Sequence, residues 1–133
     1  MNRLFDLVEV VGRVLLAALF IQDGWTVILN YASTTDYIAQ HGIPATLLPL
    51  ALATQIGGGV LIILGLWTRL AALALGLFCL STAVVFHAFS ADFNEQIHFW
   101  KDLALAGGFF VLMANGARAY SLDALASRRA VAR

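Results

Sequence analysis

The run Leu47-Leu48-Pro49-Leu50-Ala51-Leu52-Ala53-Thr54-Gln55-Ile56-Gly57-Gly58-Gly59-Val60-Leu61-Ile62-Ile63-Leu64-Gly65-Leu66 carries only Thr54 and Gln55 as polar side chains. Its length matches the roughly 20 residues a helix needs to cross ~30 Å of hydrocarbon. Lipid offers backbone N–H and C=O groups no partners, so a segment of this kind satisfies them internally, as a helix. No period-2 alternation that would favour strands is present. The rest of the chain agrees: 61% of its 133 residues are hydrophobic and 12% are charged, against about a quarter charged in ordinary soluble domains. Eight acids and eight bases cannot coat a water-soluble globule of this size. The same composition excludes a disordered chain, a nucleic-acid binder with a basic face and a disulfide scaffold, since Cys79 has no partner within the chain.

Working outward from Leu47–Leu66, three further apolar segments predict an all-α, four-helix transmembrane bundle in one membrane domain, with spans at about 5–29, 44–67, 70–89 and 97–117. The first is interrupted by Glu9, Arg13, Gln22 and Asp23, and Asp6, Glu9, Gln22 and Asp23 spoil its reading as a signal peptide. The fourth reaches spanning length only if His98, Lys101 and Asp102 share its helix and face protein or the interface. Leu66-Trp67-Thr68-Arg69 leaves room only for a tight hairpin. In the longer first connection, Ser33 or Thr34 is expected to cap a short surface helix that Gly42 ends and Pro44 follows, with Tyr31 and Tyr37 at headgroup level. Trp25, Trp67 and Trp100 stand near span ends, where interfacial anchoring explains them.

The bases set an orientation. Arg3, Arg69, Arg118, Arg128, Arg129 and Arg133 fall on one side of a four-span bundle, whereas the other side has Lys101 with Asp36, Asp92 and Glu95. By the positive-inside rule both termini are cytoplasmic. At ~1.5 Å rise per residue, Gln22, Asp23, Gln55, His87, Glu95, His98, Lys101 and Asp102 all come to the outer half of the bundle. Unpaired charges are costly in lipid, so these groups should turn inward and satisfy one another, which predicts a polar pocket facing the periplasm. Glu95, His98 and Asp102, spaced i, i+3, i+7, share a helix face able to hold a proton relay. The competing reading is a structural ion pair of Lys101 with Asp23 or Asp102. No tight ligand spacing is present, and no metal is expected. Arg13 pairs with Glu9 or snorkels. Gly57, Gly58, Gly59, Gly107 and Gly108 are read as sites of close helix approach.

Together, Ala39-Gln40-His41-Gly42-Ile43-Pro44, Thr54-Gln55-Ile56-Gly57-Gly58-Gly59, Leu64-Gly65-Leu66-Trp67-Thr68-Arg69, Phe86-His87, Gln96-Ile97-His98-Phe99-Trp100-Lys101-Asp102-Leu103-Ala104-Leu105-Ala106-Gly107-Gly108 and the tail Ala114 to Asp123 resemble the DoxX family of small four-span bacterial inner-membrane proteins. The resemblance covers nearly the whole chain and implies an integral membrane protein of a family named after a subunit of thiosulfate:quinone oxidoreduction. Where relatives often carry Glu in the helix-two motif and Lys after the Gly-Trp of helix one, this chain has Gln55 and Val27. An ion pair or relay built on those two positions cannot operate here.

Three functions follow as expectations. The first is an accessory subunit, without catalysis of its own, of a quinone-linked membrane oxidoreductase, with a quinone or a redox subunit as partner and the pocket near the quinone headgroup. His87, His98 and Asp102 would then exchange protons. The others are a small transporter or permeability element, and a purely structural or assembly protein; a homo-oligomer is compatible with each. No resident cofactor is expected beyond that quinone.

Overall fold

The computed structural model describes residues 2–132, so Arg133, used above for orientation, lies outside the described residues. Every regular element among them is a helix. Joining consecutive helical turns gives α1 (Arg3–Leu29), α2 (Tyr31–Gln40), α3 (Ala45–Leu64), α4 (Thr68–His87), α5 (Phe93–Asn115) and α6 (Leu122–Val131). Three of these, α3, α4 and α5, are long and apolar enough to cross a membrane. Helix α1 is one unbroken helix of 27 residues carrying Asp6, Glu9, Arg13 and Asp23.

Local chemistry explains most boundaries. Pro49 lies in the first turn of an α-helical segment, where its missing N–H costs little. Gly65 ends α3 in the left-handed conformation at φ 63°, and a Cβ there would meet Ser121 and the Arg13 guanidinium. Helix α5 starts where Asp92 accepts from the Asn94 N–H at 2.7 Å, and α6 where Ser121 accepts from the Ala124 N–H at 3.1 Å. Helix α2 differs from its expected start. It begins at Tyr31, and the Ser33 and Thr34 hydroxyls donate back to the Asn30 carbonyl instead of capping. Gly42 does end the segment at φ 75°, with Pro44 after it. Helix α5 opens four residues before the expected 97, while α6 lies in a stretch to which the sequence reading assigned no element.

One buried cluster joins the four long helices: Ala17 and Phe20 of α1, Ile62 of α3, Ala71, Ala72, Leu75 and Cys79 of α4, and Ala106, Phe109 and Leu112 of α5. The Phe20 ring meets Phe109 edge-on, with centroids 5.3 Å apart. Helices α4 and α5 share the most extensive contact, and α1 rests mainly on α3.

Small residues permit these approaches, but not all the expected ones. A Cβ on Gly59 would lie 2.8 Å from Ile21 Cγ1 and 3.3 Å from the Ala17 carbonyl oxygen, and one on Gly58 3.0 Å from Leu75 Cγ. Gly57 and Gly107 face open space, and Gly108 has only ordinary contact with Leu16. The close-approach reading therefore narrows to Gly58 and Gly59. Gly24, against Ile56, and Gly76, against Phe110, join them: a Cβ would stand 2.6 Å and 2.8 Å from those neighbours, respectively. The helical period alone does not say which side of a glycine pair meets the neighbouring helix.

Candidate functional site

At the end of the fold nearest α2, the four long helices line a half-open cavity of about 660 Å³. Its polar wall holds Asp23 of α1, Gln55 of α3, Thr82 and His87 of α4, and Lys101 and Asp102 of α5. Its apolar wall includes Leu19, Phe20, Leu48, Phe78 and Leu105. Thr34, Tyr37 and Ile38 of α2 roof it, and the Tyr37 ring stacks on Phe86 with centroids 5.5 Å apart and planes 21° from parallel. Partial burial, helped by the nearby Glu95 carboxylate, raises the Tyr37 hydroxyl above the usual phenol range, so it remains a protonated donor.

Two helices change their winding where they reach this cavity. Residues Ala53–Gly57 of α3 and Ala83–His87 of α4 form π-helical turns. The wider turn re-aims the side chains it carries, and such turns occur often at functional sites. Here one contributes Gln55 and the other His87 to the polar wall. Nothing in residue composition marks this change of winding.

His87 is the centre of the polar wall. Its Nδ1 pairs with Glu95 Oε2, its Nε2 stands 3.8 Å from Asp102 Oδ2, and its ring stacks on His98 with centroids 5.4 Å apart. Asp102 in turn accepts from Thr82 Oγ1 at 2.9 Å. The imidazole can hold a proton against Glu95, whose side chain is a third exposed, while its other nitrogen stands beyond hydrogen-bond distance of the buried Asp102 carboxylate. Glu95 and His98 thus serve the cavity through His87 rather than lining it, and Gln22 is exposed outside it. The expected ion pair of Lys101 is absent: among the described residues neither Asp23 nor Asp102 comes within pairing distance of it. Lys101 Nζ instead lies 3.2 Å from His98 Nδ1, one turn back on its own helix. The described residues form no group of three His, Cys, Asp or Glu able to hold a metal ion.

The opposite end holds a second polar cluster that sequence reasoning undervalued. Arg13 is 1% exposed and does not snorkel. Its Nη1 donates to the Ile62 and Ile63 carbonyls at 3.0 and 3.2 Å, and its Nη2 to the Tyr120 carbonyl at 2.6 Å. Its Nε stands 2.7 Å from Glu9 Oε1, without the N–H being aimed at that oxygen. Nearby, Arg118 Nε donates to Asp6 Oδ1 at 2.9 Å. The Asp123 carboxylate accepts from the Trp67 and Thr68 backbone N–H groups at 2.8 and 2.9 Å. It thereby caps the start of α4 from 55 residues away and holds Trp67 at its left-handed φ of 47°. Partial burial works to raise the Asp123 carboxyl, but the hydrogen bonds from Thr68 and Trp67 outweigh it and hold the group below the usual carboxylate value. These residues fix the hairpin and the tail; the cavity lies at the other end.

The DoxX family model matches residues 8–88. The Escherichia coli K12 inner membrane protein YqjF is 39% identical over 129 residues, which cover 97% of this chain and 99% of that protein. The inner membrane protein YphA of the same organism is 31% identical over 120 residues, 85% of this chain and 86% of that protein. No solved structure matches the chain significantly. With three helices of spanning length and a family match across most of its length, this chain belongs to the DoxX family.

Proposed function

We propose that the protein is a four-span inner-membrane subunit whose outer cavity binds the headgroup of a quinone, serving a quinone-linked oxidoreductase without catalysing the redox step itself. The observation that carries this reading is the cavity's division into a donor-bearing polar wall and a longer apolar one. A quinone has carbonyl oxygens that accept hydrogen bonds and a ring that prefers apolar surroundings. His87, Lys101 and Gln55 can donate to the former, and Phe20, Phe78 and Leu105 enclose the latter. About 660 Å³ lies within the roughly 300–1,000 Å³ of small-molecule sites. A transport pathway is disfavoured because beyond Gln55 the α3 sequence is glycine and branched aliphatics. The test is titration of purified protein in nanodiscs with a short-chain benzoquinone, followed through quenching of tryptophan fluorescence. Saturable binding at micromolar concentration is expected, and its absence would end this reading.

The same proposal treats α1 as the fourth span, because its buried residues share the core of the three apolar helices. It places both termini in the cytoplasm, supported by Arg69 and Arg118 at the end opposite the cavity and by exposed Arg128 and Arg129 in α6. A periplasm-active reporter inserted between Thr35 and Gln40 should be active, and the same reporter after Ala132 silent. The inverse pattern would reverse the orientation.

A further inference from the structure

The cavity does not end at its polar wall. Helices α3 and α4 are joined by the tight Gly65–Trp67 turn, and their contact is concentrated near it, where Gly58–Leu64 packs on the α-helical part of α4. Toward the cavity end they diverge, and Leu48–Leu52 has no comparable contact with Ala83–His87. The gap is lined by Leu47 and Leu50 on one side and Leu77 and Val85 on the other. These four are 47%, 65%, 51% and 43% exposed, which in a membrane means exposed to acyl chains. The cavity surface is therefore continuous with the lipid-facing surface of two spanning helices.

The hydroxyls at this gap do not make it a water channel. Thr54 Oγ1 donates to the Leu50 carbonyl and Ser81 Oγ to the Leu77 carbonyl, each at 2.9 Å, so both donors are spent on their own helices. The result is a slot that is apolar at its mouth and polar at its closed end, where Asp102 is buried. A headgroup alone would gain nothing from an opening into hydrocarbon. A ligand with a long apolar tail can seat its head at His87 and leave the tail between α3 and α4 without exposing it to water.

We infer that the gap between α3 and α4 is a lateral portal through which a tailed, membrane-dissolved ligand enters from the bilayer, its tail staying in the gap. The inference rests on the pocket reading above and specifies the ligand class: an amphiphile with one linear apolar chain, as opposed to a water-soluble metabolite arriving from the periplasm past α2.

The test compares two probes on two proteins in nanodiscs: a benzoquinone without a side chain and one with a decyl chain, on wild type and on the Leu50→Trp/Leu77→Trp double variant. Both substituted positions are exposed, so the bundle is expected to keep its melting temperature. The variant should lose at least tenfold in affinity for the decyl probe while binding the tailless probe as wild type does. Unchanged affinity for both probes, or equal loss of both, overturns the portal and leaves the pocket standing. Failure of wild type to bind either probe overturns the pocket reading as well. Should the variant fold poorly, a decyl probe with a photoreactive group at its tail end serves on wild type. Labelling of residues 47–54 or 77–85 is expected, and labelling confined to α2 overturns the portal.

Discussion

Arg13→Leu is expected to destabilise the protein by about 3–5 kcal/mol, as removal of one partner from a buried charge pair does. Two losses add. The carbonyls of Ile62 and Ile63, the first of which also accepts from the Gly65 N–H at 3.2 Å, belong to the last turn of α3, where the dipole favours a cation. The carbonyl of Tyr120 loses its tie to α1. Glu9, only 15% exposed at its side chain, is left as a carboxylate without its counter-charge. Arg13→Lys should recover less than half of the loss, because a compact ammonium cannot span three carbonyls as the planar guanidinium does. Glu9→Gln/Arg13→Leu should be milder than Arg13→Leu alone, since it removes the stranded charge. Unfolding in mixed detergent micelles measures all three. A loss below about 1 kcal/mol for Arg13→Leu would show that the cluster is dispensable. The C-terminal helix provides a second readout, because losing the Tyr120 contact should expose residues 118–131 to protease before the bundle melts.

The weight of Arg13 also shows what a sequence can and cannot convey here. Its i, i+4 relation to Glu9 is visible in the sequence, and the 2.7 Å approach agrees with it. Its main partners are backbone carbonyls 49, 50 and 107 residues away, which no side-chain pattern announces. The apolar runs, the tight hairpin at Gly65–Trp67 and a short helix before Gly42 were legible because length, hydropathy and turn chemistry are local properties. Helix α6 was not. Its signal is only the Ser121 cap followed by Asp123, on a segment with no apolar run and no residue buried in the core.

At the cavity, depth was legible and rotation was not. Counting rise per residue brings Asp23, Gln55, His87, Lys101 and Asp102 to one level, and all five line the cavity. The same count includes Gln22, which the turn of α1 leaves outside. The π-helical turns in α3 and α4 shift the angular phase of everything around them, so a wheel drawn at 3.6 residues per turn misplaces Gln55 and His87 relative to their neighbours. The competing ion pair of Lys101 with Asp23 or Asp102 does not form for a related reason: one helical turn brings His98 nearer than either carboxylate.

His87→Leu should weaken binding of the short-chain benzoquinone about tenfold to hundredfold, the range set by leaving a buried carbonyl oxygen without its donor, a cost of roughly 1–3 kcal/mol. Among the described residues, the imidazole is the one group that contacts Glu95, approaches Asp102 and lines the cavity at once. Leucine removes the donor and leaves two carboxylates facing each other across an apolar side chain. Folding is protected against that ambiguity by His87→Gln, whose amide can still donate to Glu95 but cannot exchange protons as an imidazole does. If His87 only holds α4 to α5, Gln should restore both melting temperature and affinity. If it also presents a proton to the ligand, Gln should restore the melting temperature while the affinity stays at least tenfold down. Glu95→Gln separates the roles further, since Glu95 reaches the cavity only through His87. Its effect on binding should vanish in the His87→Leu background. Full additivity of the two substitutions would show that Glu95 and His87 do not act as one line.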